Sequence, residues 1–500
     1  MRIRLEPLSV EFDVRPGAPL HPSLAEHGFE FPCGGEAICR GCGVRVVAGT
    51  LPVTAADCEA FAPEELANGW RLACQARAES PVVLECGQWR MDVLTDNARL
   101  AAGGKTGLGI AIDLGTTTIA AQLVDLARGT VLGVETALNP QAAFGSDVMS
   151  RIRSVLGGAN LTRVIRPALG EMVVKLAAAR GAEVTEIVLV GNTVMHHLFA
   201  GLDVEPLAHV PFASPHLGEQ RFTPAELGWG LPENCVIRFA PCIGGFVGAD
   251  ILAGIVATGM TESDDLVALV DLGTNGEIAI GNRHGVVCAS TAAGPAFEAG
   301  AIRMGMRAAT GAVAHVLCSG GKIEATVIGD APPQGICGSG LVDAVAAGLM
   351  NGAILASGRI ADGSKVFPVC GPVVLYQADI RELQLAKGAI AAGFKLLLRH
   401  AGAAADAVKT VYLAGAFGNY VQIDSAIAIG LLTAPKKVIQ AAGNTALRGA
   451  KMLLMEKDDP RLPAMEHMSL AADPGFQDEF AGCMSFPEPV RKDARLAVQT

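Results

Sequence analysis

Four cysteines carry the first chemistry in this chain of 500 residues: Cys33-x5-Cys39-x2-Cys42, then Cys74 after 31 intervening residues. Thiolates at this spacing read as the ligand set of one [2Fe–2S] cluster, which makes the first fifth of the chain a carrier of single electrons. Gly34, Gly35, Gly41 and Gly43 are interleaved with the first three cysteines. A loop that wraps an inorganic core needs tight turns, often with positive φ, and glycine adopts them at least cost. Amides freed in such a loop can point at sulfur and stabilise negative charge. Zinc is the competing ligand, but zinc sites favour two C-x2–4-C pairs and this run holds one. A redox CxxC would need a βαβ context, which the flanking sequence lacks. Cys58 and Cys86 lie off the pattern and read as packed thiols.

The second constellation is a repeat. Asp-Leu-Gly-Thr occurs at Asp113–Thr116 and again, 158 residues on, at Asp271–Thr274. Each copy follows an apolar strand and precedes a second alternating strand, as in GIAIDLGTTTIAAQLVDL (Gly109–Leu126) and VALVDLGTNGEIAIGN (Val267–Asn282). That pattern predicts two β-hairpins with Gly-Thr tips. Such a tip presents backbone N–H groups and hydroxyls to anionic phosphate oxygens. A carboxylate at the strand end, Asp113 or Asp271, suits Mg²⁺ held through water, because Mg²⁺ dehydrates reluctantly. Two such hairpins facing across a cleft would clamp a nucleoside triphosphate from both sides.

The elements that must position these groups follow from pattern and composition. The start, MRIRLEPLSVEFDVRPG, alternates as a strand does and has no apolar signal core. Residues 1–95 are expected as a ferredoxin-like unit, 96–107 as a polar linker, 108–265 and 266–500 as two related subdomains. The linker's Gly-Gly-Lys-Thr (103–106) superficially resembles a phosphate loop, but Arg99 stands where that loop needs glycine and no strand precedes it. Short apolar strands such as EIVLVGNT (Glu186–Thr193) and TVYLAGAFG (Thr410–Gly418) alternate with helical patterns, which argues for α/β layers. Sixty glycines, 5% aromatics and 50% apolar residues suit close helix–sheet packing. The net charge of −11 offers no basic stripe for nucleic acid. No apolar run reaches the ~18 residues a membrane helix needs, and thirteen scattered cysteines point to a reducing cytoplasm.

IDLGTTT, VDLGTNGE and LAGAFGN resemble the phosphate-1, phosphate-2 and adenosine motifs of the acetate kinase/sugar kinase/Hsp70/actin (ASKHA) superfamily. The cysteine spacing is one residue longer than the plant-type pattern and resembles the adrenodoxin-like variant. The resemblance implies an α+β, β-grasp ferredoxin domain followed by an α/β ASKHA core of two RNase H-like subdomains. It places Asp113, Gly115, Thr116 and Thr117 on one side of ATP·Mg. Asp271, Gly273, Thr274 and Asn275 face them, and Gly415 and Gly418 lie beside adenosine.

A [2Fe–2S] unit fused ahead of such a core resembles the reductive activators of corrinoid-dependent methyltransferases. AGPAFEAG (Ala293–Gly300), ICGSGLVDA (Ile336–Ala344), LQLAKGAI (Leu383–Ile390) and GNTALRGA (Gly443–Ala450) extend that likeness along the chain. The implied activity is one-electron reduction of an inactive Co(II) corrinoid protein to Co(I), coupled to ATP. Asp113 and Asp271 would organise Mg²⁺ and the attacking water, and an upstream low-potential donor would supply electrons. Other readings are an ATP-gated electron donor to a different low-potential enzyme, and an Hsp70- or actin-like switch with a redox-sensing cluster. Longer members carry an extra region ahead of the first phosphate loop, and this chain has about a dozen residues there.

Further residues have plainer readings. Adjacent His196 and His197 point to different helix faces, which disfavours joint metal ligation. Glu298 reads as a helix-start residue or as an acid facing nucleotide or partner. Lys387 belongs near adenosine or on a solvated helix face, and Asp250 caps the helix after it.

Overall fold

The computed structural model describes the chain apart from Glu30, 32–34, 36, 38–39, 87–94, 102–103, 179–182, Thr274, 457–461 and 489–500. The alternating start folds as β1 (Arg2–Glu6) and β2 (Val10–Asp13), followed by α1 (His21–Glu26). After the cysteine loop come β3 (Gly43–Ala48), α2 (Ala55–Ala60), α3 (Pro63–Ala67), β4 (Trp70–Leu72) and β5 (Val82–Cys86). The sheet order is β2-β1-β5-β3-β4, with β1 and β5 parallel and the other pairs antiparallel. Alternation buries Ile3, Leu5, Val82, Leu84 and Cys86 on one face, over Leu20 and Leu24. This is the expected β-grasp ferredoxin arrangement.

The first half of the core runs β6 (Leu108–Leu114), β7 (Thr118–Asp125), β8 (Thr130–Leu138), α4 (Val148–Leu156) and α5 (Thr162–Ala178). It continues through β9 (Val184–Val190), α6 (Thr193–Ala200), β10 (Gln220–Phe222), α7 (Pro224–Leu227), β11 (Val236–Phe239) and α8 (Ala249–Ala257). The second half opens with β12 (Leu266–Leu272), β13 (Gly276–Asn282) and β14 (Gly285–Thr291), then β15 (Ala312–Ser319), β16 (Lys322–Val327), β17 (Gly335–Ile336) and α9 (Gly338–Met350). Next come β18 (Val366–Cys370), β19 (Val373–Tyr376), α10 (Gln377–His400), β20 (Val408–Ala414), α11 (Gly415–Tyr420) and α12 (Ile423–Ala428). β21 (Ile439–Gly443), α13 (Thr445–Met455), β22 (Met465–His467) and α14 (Phe476–Cys483) close the described chain.

The two halves repeat one topology. Five strands order as β11-β9-β6-β7-β8 in the first sheet and as β21-β20-β12-β13-β14 in the second. In each, a hairpin pairs antiparallel and the later strands add parallel to its first strand. The first strands are buried on both faces, which is why β6 and β12 read as near-continuous apolar runs.

The halves are joined by exchanged helices. α13 follows the second sheet in sequence, yet its Leu447, Ala450, Leu453 and Leu454 sit in the core of the first. α8 turns Ala249, Leu252 and Ala253 to that same core and Ile251 and Ile255 toward the second sheet. The helices cross backbone to side, since a Cβ on Gly449 would lie 1.9 Å from the Ala253 carbonyl oxygen.

The connecting segment is bound along this core. Buried Lys451 of α13 donates to the carbonyls of Asp96 and Ala98, and Lys105 pairs with Glu186 at 2.7 Å and donates to the Leu454 carbonyl. Among the described residues, no helix is long and apolar enough to cross a membrane.

Candidate functional site

Both Asp-Leu-Gly-Thr segments form hairpin tips, and their strands lie at the centre of the two sheets. In the first, Gly115 N–H donates to Thr118 O at 3.0 Å and closes the turn. Three consecutive carbonyls of the tip are held from behind. Asn139 Nδ2 donates to Gly115 O at 2.9 Å, Arg151 Nη2 donates to Thr116 O, and Asn139 N–H donates to Thr117 O at 2.8 Å. In a trans peptide the N–H lies opposite the C=O. Anchoring the Gly115 and Thr116 carbonyls therefore turns the amides of Thr116 and Thr117 the other way. Asn192, the N-cap of α6, also donates to Thr116 Oγ1 at 2.8 Å.

The second tip is differently supported. Gly273 N–H donates to Asn275 O at 3.1 Å, and Thr274 lies outside the described residues. Behind it sits Gly415 at the start of α11, with φ +81°. A Cβ there would stand 2.5 Å from Asp271 Oδ1, so only glycine leaves the carboxylate in place. Gly418 is buried against the end of β20, and Phe417 beside it stacks on Phe297 at 4.7 Å.

The carboxylates form an acidic group of four. Register places Glu277 directly across from Asp271, on the same face of the sheet, whereas Asp113 faces Ala120. Asp250 lies in the first turn of α8. The N-cap of that helix is Gly248, so Asp250 is not the expected cap, though its Oδ1 accepts from Ile251 N–H at 2.8 Å. Desolvation pushes Asp113 up to about 6, opposed by the hydrogen bond from Asn444 Nδ2 at 2.9 Å. Desolvation, then repulsion from Asp271 and Asp113, pushes Asp250 to about 7. Asp271 is pushed to about 7 by desolvation and by Asp113. Glu277 is raised well above the usual range by desolvation, Asp250 and Asp271. Among the described residues no three of His, Cys, Asp and Glu converge closely enough to ligate a metal directly. The acids act on one another by charge repulsion.

In the ferredoxin unit, Cys33 and Cys39 lie outside the described residues. Cys42 is buried just before β3, and Cys74 is half-buried just after β4, with Ala73 N–H donating to Cys42 O at 3.0 Å. The Cys74 thiol is lowered to about 6, first by its hydrogen bond with Cys42, then by Gln75 and the backbone at Ala37. Gln75 Nε2 also donates to Gly35 O at 3.0 Å, which ties the cysteine loop to the β4 end. Two neighbouring thiols, one of them (Cys74) stabilised as thiolate, in a loop turned by Gly35 at φ +87°, are donor chemistry that fits an iron–sulfur centre. Cys86 differs, since burial within β5 drives its thiol far upward.

The remaining candidates fall elsewhere. Lys387 is buried and not on a solvated helix face. It donates to the Ser485 carbonyl, beneath the Phe486 ring, and burial lowers it to about 8. His197 hydrogen-bonds Thr193 O at 2.8 Å and Ser214 Oγ at 2.6 Å, inside the first core with His196. Glu298 is the exposed last residue of a single 3-10 turn, Pro295–Glu298. Sequence reasoning missed Asn139, Arg151, Asn192, Asn444 and Glu277 as site residues. The signal for two of them is a second repeat, Gly-Asn-Thr at 191–193 and 443–445, each time closing a strand and capping a helix.

Comparison with known proteins adds relatives to this geometry. A 2Fe-2S iron-sulfur cluster binding domain profile matches residues 3–79. The RACo middle region matches 108–263, and the C-terminal domain of RACo, the ASKHA domain, matches 265–494. The corrinoid activation enzyme RamQ of Eubacterium limosum is 35% identical over 415 residues, spanning 74% of this chain and 69% of that protein. The [Co(II) methylated amine-specific corrinoid protein] reductase of Methanosarcina barkeri is 29% identical over 384 residues, spanning 70% of each. A solved reductive activator for corrinoid,iron-sulfur protein superposes with a TM-score of 0.65 at 27% identity, covering 97% of this chain and 98% of that one.

Proposed function

The chain belongs to the RACo family, and from that premise we propose that it is an ATP-dependent reductive activator of a corrinoid protein. The observation that carries the reading is one chain holding two inward-facing Gly-Thr hairpins, four interacting carboxylates between them, and a thiolate-stabilising cysteine loop. Cys33, Cys39, Cys42 and Cys74 hold a [2Fe–2S] cluster, which supplies single-electron transfer when bound. The amides and hydroxyls of Thr116 and Thr117, with Gly115, take phosphate oxygens on one side. Gly273, Thr274 and Asn275 take them on the other, and Gly415 and Gly418 leave room for adenosine. Asp113 and Asp271 hold Mg²⁺ through water and orient the attacking water molecule. Mg²⁺ dehydrates reluctantly, which favours this water-mediated arrangement.

The energetic logic concerns the partner. Reduction of Co(II) to Co(I) lies below what an ordinary ferredoxin donor reaches, and a one-electron shortfall of ~100 mV is about 2.3 kcal/mol. ATP can cover that only through a conformational change. The crossing of α8 and α13 between the halves offers a place where closure on nucleotide moves one half against the other. An upstream low-potential donor reloads the ferredoxin unit.

The test is ATP turnover by the reconstituted protein with and without a Co(II) corrinoid protein, given a strong reductant. Turnover stimulated by the corrinoid protein, with Co(I) absorbance appearing only with ATP, is expected; the absence of both signals would sink the reading. Cys39→Ser should abolish the visible cluster spectrum while leaving ATP binding in place.

A further inference from the structure

Arg151, on α4, is a fully buried cation of the first half of the core. Its guanidinium donates to four neutral acceptors. These are Gly145 O at 2.9 Å, Gln141 Oε1 at 3.5 Å, Met195 Sδ at 3.4 Å, and Thr116 O in the first hairpin tip. Among the described residues no carboxylate forms an ion pair with it, although the charge of Asp147, which caps α4 through Ser150 N–H, favours its charged form. Burial lowers it only to about 9, so it stays charged at neutral pH.

A buried charge with no directly paired counter-ion is costly for a fold to keep. The structure places it where an anion is expected. Thr116 O accepts from Arg151, and the N–H of the same peptide, on Thr117, points the opposite way. A charge-assisted bond on the carbonyl polarises that peptide and strengthens its N–H as a donor. Asn139 makes the neutral version of the same bond one residue earlier, on Gly115 O.

We propose that Arg151 is a positioning residue for the nucleotide's phosphates, acting through the Thr116–Thr117 peptide and supplying the positive charge behind the first hairpin. The ligand class is an anionic phosphate chain, and the inference rests on the ATP reading above. Arg151 never touches the phosphates. It fixes the hairpin's amide direction, and a phosphate oxygen on the far side of that peptide meets an aligned dipole backed by a full charge. The price of burying the guanidinium is then offset on nucleotide binding.

The experiment compares ATP with adenosine, which lacks phosphate, by calorimetry on the full-length reconstituted protein. Arg151→Met should weaken ATP about 10- to 100-fold, the cost of one charge-assisted interaction. Adenosine affinity and the cluster spectrum should stay within about twofold, a change below 0.5 kcal/mol. Arg151→Lys keeps the charge without the fork and should fall between. Equal losses for ATP and adenosine, or unchanged ATP affinity, in whichever variant folds would overturn the proposal. In the wild type, the Arg151 Nε–H signal of arginine-labelled protein should shift on adding ATP but not adenosine. A signal blind to ATP would overturn it even if neither variant folds. If the wild type binds no ATP at all, the functional reading has failed rather than this one.

Discussion

The two hairpins share Asp-Leu-Gly-Thr and one topology, yet they are surrounded by opposite chemistry. The first is backed by donors: Asn139, Arg151 and Asn192 grip its tip, and Asn444 reaches from the other half to bond Asp113. The second is surrounded by acid, with Glu277 across from Asp271 and Asp250 approaching from the other half. In each case a helix that starts in one half meets the carboxylate of the opposite half. The difference is amide against acid. Duplication of a turn thus fixes where phosphates can sit, while the residues behind each turn divide the labour. Under the proposed function, the donor-backed hairpin is the one to hold anions and the acid-backed one the one to gather a cation and water.

The largest test of this division removes the acid at its centre. Asp271→Asn should lower ATP turnover by about 10²–10³-fold, the usual scale for deleting one preorganised electrostatic group. ATP affinity should change far less, because the donor side is intact. Phosphate release and calorimetry together decide it, and a matching loss of affinity would mean that the division is wrong. A smaller effect separates the two turns. A Cβ at Gly115 would stand 2.6 Å from the Thr118 oxygen that closes the first tip, whereas at Gly273 the nearest atom is 3.8 Å away. Gly115→Ala should therefore weaken ATP about tenfold, near 1.4 kcal/mol, and Gly273→Ala by less than about twofold. The reverse order would show that the second tip makes the tighter approach to phosphate.

Much of this was legible in sequence because it is local. The hairpins follow from apolar alternation on either side of a Gly-Thr turn, and the ferredoxin sheet follows from the alternating first strands. What surrounds the turns is set by long-range pairing. Arg151 reads as one more polar residue of an amphipathic helix, and nothing near it marks a guanidinium that reaches a tip 35 residues earlier. Asn444 meets Asp113 across 331 residues. Glu277 was visible in the motif, but its meaning depends on the register that sets it opposite Asp271. Asp250 looked like a helix cap because the first turn of a helix is where an acid is expected; only the opposing sheet makes it part of the site. A solvated helix face is one sequence reading of Lys387, and the chain near Ser485 buries it instead.

The smallest expected effect tests the amide-against-acid contrast directly, through stability without nucleotide. Asp113 at about 6, and Asp250 and Asp271 at about 7, all titrate above the ordinary carboxylate value of 3.8. A carboxyl whose folded pKa is raised stabilises the fold fully below its unfolded pKa, and that contribution is lost as pH rises through the folded value. The unliganded protein should therefore lose thermal stability between about pH 4 and pH 7.5, with each kcal/mol worth roughly 2–4 °C. Mg²⁺ with ATP should restore more at the upper end, where the acids are charged. Asp250→Asn removes one of the acids that repel the others, so the decline should become shallower. Asn444→Asp replaces the amide that bonds Asp113 by a further acid and keeps a competent helix cap, so the decline should steepen. Melting curves across that pH range decide it: parallel profiles for all three proteins would mean that the two hairpins do not differ in the way their surroundings suggest.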